Sequence, residues 1–425
     1  MVYVLNIDGQ PLMPTTRHGK VKHLLKDGKA KVVKRCPFTI KLLYETPNYT
    51  QDLTLGVDTG SGTIGTAVST NDDKIVYMSE VVVRDDITGK MTRRAKYRKN
   101  RRNRKTRYRK SRWLNRKNSI KKDRFSPTVV SKLHSHVKEI EYIKSILPIT
   151  TIVFETGTFD THLMKNPSLA NESVRHWGYQ KGTNYGFENT KAMVLNRDNY
   201  TCQYCKGKHK DSKLEVHHIV FRSKHGSDEE SNLITLCHTC HKALHSGKIS
   251  LKLEGKVKGN LKYATQMNSI RKQLSRIYPE AIETFGYITK ANRLKLGVDK
   301  EHFYDACVVA TQGNKFKVKC SLYKKKCVPD GDFQQTKGVR SEQHIPTCKI
   351  QGFRKFDKVK YFGKEYFIKG RQSTGYVILM DIDGNKIDFS YAPRGFRTPK
   401  MVNLKRLESR SSWIIIKCAV LSNVI

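Results

Sequence analysis

Alternating and short continuous apolar runs along the chain predict several modules in which strands and helices are interleaved. The first 50 residues predict a small α+β unit with strands at 2–7, 31–33 and 38–44, a turn at 8–14 and a helix near 20–25. Short β-branched runs then predict a strand-rich core at 53–57, 64–68, 74–83 and 149–154. Because 425 residues exceed what one core usually organises, we expect several domains.

Helical periodicity and strands punctuated by glycine alternate through the rest of the chain. Helices are predicted at 129–146 and 266–285, and a further helix carries Asp305. Residues 91–125 contain no Gly or Pro, which favours one continuous helix. From about residue 315 onward, a small β-barrel-like domain is predicted from runs at 358–361, 365–369, 375–381 and 413–417.

Three acidic residues lie in or beside elements of the predicted core. Asp58 and Glu155 come at or near the ends of two buried strands, and Asp305 lies in a helix with His302 three residues before it on the same face. Carboxylates of this kind hold paired Mg²⁺ ions in nucleases, and His302 can orient a water. Each acid alone also fits a structural role: a turn before Gly60, a solvated carboxylate or a helix start.

Two Cys-x-x-Cys pairs in the middle of the chain have the spacing of a tetrahedral thiolate site for Zn²⁺. They are Cys202 with Cys205 and Cys237 with Cys240. We expect this zinc to be structural, because about 10 to 16 kcal/mol of apparent metal-binding free energy would stabilise a segment too short for a large apolar core.

Four histidines of the same segment are candidates for metal binding or catalysis. His217 and His218 are adjacent on a predicted strand at 214–220, where successive side chains diverge, so that one can bind a metal while the other faces water. His218 is the candidate general base. His241 and His245 are four apart on a predicted helix, and both can bind the same divalent cation as His217, which we expect to be Mg²⁺.

Asn232 precedes a predicted strand at 233–236, and its amide can brace the loop that carries the histidine pair. The whole pattern resembles the HNH nuclease motif, in which a water attacks a phosphodiester beside a single metal ion. A zinc ribbon with incidental histidines is the structural alternative.

The charge of the chain indicates a polyanionic partner. Lys and Arg number 81 against 38 Asp and Glu, a net charge of +43, which exceeds what solubility requires. The densest basic segment interleaves arginines with aromatic side chains that can pack on the protein or stack on bases. Its candidate nucleic-acid-binding residues are Arg93, Arg94, Tyr97, Arg98, Arg101, Arg102, Arg104, Arg107, Tyr108, Arg109, Arg112 and Trp113. A solvated basic tail or a localisation signal is the alternative interpretation.

Apolar segments and cysteine usage indicate an intracellular protein. No N-terminal apolar signal and no run of 18 apolar residues is present, so we expect a soluble, cytoplasmic and nucleoid-associated protein with no membrane partner. Thiolates rather than disulfides are expected. A second metal site at Cys320, Cys327, His344 and Cys348 is a weaker hypothesis, because its spacing is irregular.

The order of these motifs resembles the IscB family, transposon-encoded RNA-guided DNA endonucleases related to the CRISPR type II effectors. The resemblance is carried by Pro11-Leu12-Met13-Pro14, by the acidic trio, whose segments resemble a RuvC nuclease, by the arginine-rich segment and by the HNH motif. It implies an α/β fold in which an RNase H-like (RuvC) mixed sheet is split by an arginine-rich bridge helix and by an inserted ββα-metal HNH domain. A small N-terminal α+β domain and a C-terminal β-rich domain flank this core.

The resemblance also implies domain bounds. They are the PLMP domain at 1–50, RuvC part I at 51–90, the bridge helix at 91–126, RuvC part II at 127–180, the HNH domain at 181–250, RuvC part III at 251–314 and the C-terminal domain at 315–425.

A role for each nuclease follows from the family. A noncoding guide RNA would pair with one strand of double-stranded DNA, HNH would cut the paired strand and RuvC the displaced strand, and a monomeric protein would act within a ribonucleoprotein. Asp58, Glu155, His302 and Asp305 would form the RuvC site, and His218 with Asn232 would serve the HNH site. A short motif beside the target would be recognised by the C-terminal domain, for which Lys358, Arg371 and Arg394 are candidates.

Two other functions remain open at this point. A guide-free HNH endonuclease would cut DNA without RNA, and a non-catalytic RNA-binding or transposon-regulating protein would never cut. The first leaves the bridge helix unexplained, and the second leaves the intact metal-binding residues without a purpose.

Overall fold

The computed structural model describes residues 1–102, 125–157, 164, 170–171, 186–209, 211–224, 226–251, 261–329 and 349–418. The chain divides into two compact units, one of residues 1–157 with 267–425 and the other of residues 158–266. The fold is mixed α/β, with four sheets among the described residues. None of the described helices is long and apolar enough to cross a membrane.

The N-terminal residues form a four-stranded sheet with one helix. Its elements are β1 (Val2–Leu5), β2 (Pro11–Thr15), α1 (His18–Lys26), β3 (Ala30–Lys34) and β4 (Thr39–Leu42), in the sheet order β2-β1-β4-β3. Strand β2 lies where the sequence predicted a turn. The turn is tighter than expected because Asn6 accepts hydrogen bonds from the backbone N–H groups of Asp8 and Gln10, and the prolines of β2 are tolerated on an edge strand.

An eight-stranded sheet forms the centre of the larger unit. It contains β5 (Leu53–Asp58), β6 (Thr63–Thr70), β7 (Lys74–Val82), β8 (Thr151–Thr156), β11 (Ile282–Phe285), β12 (Lys317–Val318), β13 (Leu322–Cys327) and β18 (Trp413–Cys418). The order is β11-β8-β5-β6-β7-β13-β18, with β12 beside β7. Strands β5, β6 and β7 are antiparallel, whereas β8 and β11 run parallel to β5. The predicted core strands are therefore confirmed.

Helices cover both faces of this sheet. Helix α3 (Pro127–Lys144) and helix α6 (Lys262–Ile277) contribute to one apolar cluster, which includes Ile64 and Val68 of β6. Helix α8 (His302–Ala310) contributes to a second cluster, which includes Ala67 of the same strand. Two glycines allow α8 to approach closely. A Cβ at Gly65 would lie 1.9 Å from the His302 carbonyl oxygen, and one at Gly56 would lie 2.4 Å from that of Ala306.

A buried ion pair connects α3 to strand β13 of the sheet. Lys325 Nζ lies 2.7 and 2.8 Å from the two carboxylate oxygens of Glu139, and both side chains are fully buried. Tyr77 and Ser79 donate further hydrogen bonds to Glu139. The ammonium group also lies 4.5 Å from the centre of the Trp413 ring, so β13 and β18 are joined to the core by charge as well as by strand pairing.

The smaller unit contains a two-stranded sheet between two helices in sequence. These elements are α4 (Thr190–Arg197), β9 (Leu214–His218), β10 (Leu233–Cys237) and α5 (His238–His245). The strands β9 and β10 are antiparallel and place His217 opposite Ile234. The strands and the helix predicted around the histidines are confirmed.

The C-terminal part contains an antiparallel sheet of β14 (Lys358–Tyr361), β15 (Lys364–Arg371), β16 (Val377–Met380) and β17 (Lys405–Glu408), in the order β16-β15-β14-β17. Strands β13 and β18, expected in a separate C-terminal domain, pair with each other and extend the large sheet. Their apolar side chains are buried in the core beside that sheet. No local sequence pattern indicates this pairing.

The helix predicted at 266–285 is shorter than expected. Helix α6 ends at Ile277, and Ile282–Phe285 form β11 instead. Pro279 accounts for the difference, because a proline disfavours helical backbone at the residue before it. Helix α7 (Gly286–Leu296) follows β11 directly and was not predicted. Of the predicted basic helix, α2 (Ile87–Arg102) lies within the described residues.

Candidate metal centres

Two carboxylates meet at one edge of the large sheet. Strand β5 ends at Asp58, and its parallel register with β8 places Glu155 directly beside it. The Thr59 hydroxyl donates a hydrogen bond to the Glu155 carbonyl oxygen at 2.6 Å, which fixes the backbone at this edge. Both strands are buried apolar runs with an acid at or next to the last position, so the sequence itself specifies this pairing.

The first turn of α8 brings two more residues to the same edge. His302 Nδ1 lies 2.6 Å from Asp58 Oδ2, and Asp305 lies three residues after His302 in the helix. Asp305 interacts electrostatically with both Asp58 and Glu155. The structure therefore brings together the four residues that the sequence predicted, which we call the acidic centre: Asp58, Glu155, His302 and Asp305.

Burial and the charge of Asp58 disfavour the charged forms of Glu155 and Asp305. Burial, followed by the charge of Asp58, raises the pKa of Glu155 to about 7. The same two causes raise the pKa of Asp305, although Arg293 and His302 oppose them. The hydrogen bond to Asp58 raises the pKa of His302. A cluster of carboxylates in this electrostatic environment favours the binding of a cation.

Two buried oxygens of the acidic centre accept no hydrogen bond from the described part of the chain. Among the described residues, Glu155 Oε2 and Asp305 Oδ1 have no hydrogen-bond donor. Arg293 Nε lies 3.0 Å from Asp305 Oδ1, but the direction of its N–H does not make a hydrogen bond. Hard oxygen ligands with this surplus of negative charge fit Mg²⁺, which the sequence predicted here.

Arg293 is a member of this site that the sequence did not indicate. It lies on α7, its side chain is 10% exposed, and it is the cation beside Asp305. No motif marks it, because its position depends on the pairing of β11 with β8, which places α7 beside the acidic centre. Gly286, the first residue of α7, approaches so closely that a Cβ there would lie 2.9 Å from Glu155 Oε1.

Four buried cysteines form a second candidate centre. The sulfurs of Cys202, Cys205, Cys237 and Cys240 all lie within 4.8 Å of one another. Cys205 Sγ and Cys237 Sγ are 3.8 Å apart, which excludes a disulfide and matches the edge of about 3.8 Å expected for a tetrahedron with Zn–S bonds of about 2.3 Å. The thiolate set therefore fits zinc.

His209 lies beside this cysteine set and was not predicted. Its Nδ1 is 3.3 Å from Cys240 Sγ and 3.7 Å from Cys237 Sγ. An imidazole N–H at this position can donate to a thiolate and reduce the charge of a four-thiolate site.

Three histidines form the third candidate centre, which we call the histidine centre. Ligand nitrogens of His217, His241 and His245 lie within 4.8 Å of one another. Burial and the neighbouring histidines lower the pKa of His217 to about 4, so this ligand is neutral at physiological pH. Its Nε2 is buried and has no hydrogen-bond partner among the described residues, as a metal-binding nitrogen requires. The cysteine and histidine sets are the only sets of this compactness in the described part of the chain, and the acidic centre is more open.

Glu215 supports the histidine centre from behind. Its Oε2 lies 2.7 Å from His241 Nδ1, which leaves Nε2 of that ring to face the other two histidines. Lys213 and His238 contact the other oxygen. Glu215 precedes His217 by two residues on β9, so both side chains lie on one face of the strand.

His218 has a carboxylate partner that the sequence did not indicate. Its Nε2 lies 2.8 Å from Asp228 Oδ1, and Arg222 Nε lies 2.9 Å from the same oxygen. An acid that holds an imidazole in one orientation is typical of a general base. Ten residues separate His218 from Asp228, and the intervening loop brings them together.

Asn232 braces that loop, as its sequence position suggested. Its side chain is fully buried, accepts a hydrogen bond from the Val220 N–H and donates to the carbonyl oxygens of Val220 and Ser227. These contacts use both ends of the amide. Asn232 is therefore a positioning residue for the loop after His218.

The nucleic-acid-binding candidates are described only in part. Arg93, Arg94, Tyr97 and Arg98 are exposed on α2. The side chains of Arg101 and Arg102, and residues Arg104, Arg107, Tyr108, Arg109, Arg112 and Trp113 entirely, lie outside the described residues.

Candidates for a second metal site and for contacts to the adjacent motif have different surroundings. Cys320 and Cys327 pack against two different apolar clusters, while His344 and Cys348 lie outside the described residues. The Lys358 side chain is 9% exposed and is paired with Glu365. Arg371 donates to the Phe353 carbonyl oxygen, and Arg394 is exposed in a short 3₁₀ helix.

Family models and one small protein match the chain. Residues 2–182 match the family described as RRXRR protein, and residues 202–247 match HNH endonuclease. Anaredoxin from Nostoc sp. (strain PCC 7120 / SAG 25.82 / UTEX 2576) is 34% identical over 67 residues, which cover 15% of this chain and 86% of anaredoxin. The 67 matched residues are related to anaredoxin. The chain carries an HNH endonuclease domain at residues 202–247.

Solved structures of Cas9 proteins are similar at a low level. Streptococcus thermophilus Cas9 in complex with the AGAA PAM is 11% identical with a TM-score of 0.31, over 57% of this chain and 32% of that chain. Actinomyces naeslundii type II-C Cas9 is 11% identical with a TM-score of 0.23, over 62% of this chain and 60% of that chain. The chain thus spans about a third of the length of the first and somewhat under two thirds of the second.

Proposed function

We propose that this chain, which belongs to the IscB-like nucleases that combine RRXRR and HNH domains, is an RNA-guided endonuclease of double-stranded DNA. Two nuclease-type centres in one polypeptide carry the proposal: three histidines beside a carboxylate-bound imidazole, and three carboxylates at a sheet edge. Two centres suit two DNA strands, so we assign the histidine centre to the guide-paired strand and the acidic centre to the displaced strand.

We assign His218 as the general base of the histidine centre. Its hydrogen bond to Asp228 places the proton on Nε2, so Nδ1 is the nitrogen that accepts a proton from the attacking water. Asp228 then stabilises the imidazolium, and Arg222 keeps Asp228 ionised. The three histidines would hold a divalent cation, which supplies charge stabilisation at the phosphate and lowers the pKa of water.

The acidic centre has the arrangement of a RuvC nuclease in this proposal. The strand order β11-β8-β5-β6-β7, with β6 antiparallel to its neighbours, supports an RNase H-like core. Asp58, Glu155 and Asp305 would hold Mg²⁺, which stabilises both the attacking and the leaving oxygen. His302 is placed by Asp58 where it can orient the water or donate a proton to the leaving oxygen.

The remaining domains are assigned to nucleic acid. We infer that residues 1–50 form the PLMP domain, that the segment from 91 to 126 is a bridge helix for RNA, and that residues after 315 contact RNA and the motif beside the target. A net charge of +43 supports an extended phosphate interface. Each duplex phosphate that is neutralised adds about 0.9 to the slope of log affinity against log salt concentration, so binding should weaken steeply with salt.

RNA dependence tests the proposed function. The chain would be expressed together with the noncoding DNA that flanks its gene, purified, and assayed on a plasmid library before and after its RNA is removed. A bound long RNA whose removal stops cleavage, and whose return restores it, is the expected result. Cleavage that persists without RNA would identify a guide-free HNH endonuclease instead, and binding without any cleavage would identify a non-catalytic RNA-binding protein.

A further inference from the structure

Two aromatic side chains lie at the edge of the acidic centre and take no part in the chemistry assigned to it. Phe285 ends β11 and Tyr287 lies in the first turn of α7. Their rings are nearly parallel, with an interplanar angle of 8° and centroids 6.1 Å apart. Tyr287 is 73% exposed, so much of its ring faces solvent.

The position of this aromatic pair is fixed by the sheet. Strand β11 is parallel to β8, and the register sets Thr284 beside Glu155 and Phe285 beside Thr156. Gly286 lies between the two aromatic residues, and a Cβ there would lie 2.9 Å from Glu155 Oε1. The aromatic pair therefore flanks the residue whose backbone lies against the Glu155 carboxylate.

The charges on α7 and β11 near the aromatic pair favour the binding of a phosphate backbone there. The first turn of α7 has no acidic residue, and its N–H groups point out of the start of an 11-residue helix. Lys290 is exposed on the same helix. The nearest acid of β11, Glu283, is paired with the Arg271 guanidinium and accepts a hydrogen bond from the Ser275 hydroxyl.

We infer that the solvent-facing ring of Tyr287 is a stacking platform for one unpaired base of the strand that the acidic centre cuts. Phe285 supports the ring from behind, so the platform is ordered before DNA binds and little side-chain entropy is lost on binding. Single-stranded DNA is the occupant that fits, because its bases are free to stack on an aromatic ring and its phosphate must reach Glu155. A paired base would have no open face to offer.

The inference deepens the proposed function and rests on it. It adds a binding residue that positions one strand only, so its loss should affect one of the two cuts. The histidine centre and its strand serve as the internal control in every reaction.

Strand-resolved cleavage by the complete complex with its RNA tests the platform. Tyr287→Ala is compared with Tyr287→Phe, which keeps the ring, and with Leu294→Ala, which removes an apolar side chain that is 63% exposed farther along α7. We expect Tyr287→Ala to slow cutting of the displaced strand roughly five- to 100-fold, while cutting of the paired strand is unchanged. Tyr287→Phe and Leu294→Ala should match the wild-type protein.

Base stacking can also be observed without cleavage. In a complex whose displaced-strand cut is blocked by Asp58→Ala, 2-aminopurine is placed at successive positions of the displaced strand near the site of that cut. One position should be quenched with Tyr287 and should brighten with Tyr287→Ala.

The outcomes separate the platform from the proposed function. Equal loss of both cuts, an unchanged rate with Tyr287→Ala, or equal damage by Tyr287→Phe would overturn the platform. If the wild-type complex itself cuts only the paired strand or neither strand, the proposed function fails before the variants are compared.

Discussion

Glu215 provides a sharp test of the histidine centre, because it contacts one ligand of the set without belonging to the set. Its Oε2 lies 2.7 Å from His241 Nδ1, and this contact holds the ring so that Nε2 faces His217 and His245. The Lys213 hydrogen bond, together with His238 and His241, holds the pKa of Glu215 below its usual range. The carboxylate is therefore ionised beside His241 at neutral pH.

Removal of Glu215 should weaken metal binding at the histidine centre. Loss of a partner that orients a metal ligand typically lowers metal affinity about 10- to 100-fold. We expect Glu215→Ala to lie toward the upper end of this range. Glu215→Gln should lie toward the lower end, because the isosteric amide keeps a polar oxygen beside His241 Nδ1.

Manganese titration is the assay. Paired-strand cleavage is measured against Mn²⁺ concentration, and Mn²⁺ binding is followed by electron paramagnetic resonance in the Asp58→Ala background, so that the acidic centre contributes less. His238→Ala is the matched control, since His238 contacts the same carboxylate but is not one of the three ligands. The reasoning is refuted if Glu215→Ala leaves the manganese midpoint unchanged, or if His238→Ala shifts it as much.

Three further perturbations test other parts of the structure. Cys240→Ser should abolish stoichiometric zinc, measured by mass spectrometry, and unfold the smaller unit, because a structural zinc site supplies about 10 to 16 kcal/mol; a folded, zinc-free variant would contradict this. Burial lowers the pKa of His136 to about 4, so the folded state resists its protonation, and stability should fall by about 3 kcal/mol as pH drops from about 6.5 to 4. His136→Leu should lose this part of the pH dependence of the thermal midpoint, and an unchanged slope would argue against it. Arg293→Leu removes the cation that lowers the pKa of Asp305, so the acid limb of displaced-strand cleavage should move to higher pH, and a limb that stays in place would exclude this role.

Local patterns were enough to predict which side chains come together in each candidate centre. Asp58 and Glu155 could be found because each ends or nearly ends a buried apolar strand, and adjacent parallel strands bring such ends together. The cysteine spacing fixed the thiolate set in the same way. Both signals depend on residues that are close in sequence to a recognisable element.

Partners that depend on tertiary structure could not be predicted. Lys325 is the middle of three consecutive lysines in β13, a pattern typical of a solvated strand, yet it is fully buried against Glu139. Arg293 and Asp228 take their roles from the pairing of β11 with β8 and from a loop conformation. Such contacts join different segments of the chain, and the local pattern of one segment does not indicate the other.

The most direct test of two independent centres is a strand-specific cleavage assay on one labelled duplex, with the complete complex and single variants. The account predicts that His218→Ala lowers cutting of the guide-paired strand about 10²- to 10⁴-fold while the displaced strand is still cut, and that Asp58→Ala has the reverse effect. Loss of both cuts from either single substitution, in protein that remains folded and bound to RNA, would contradict it.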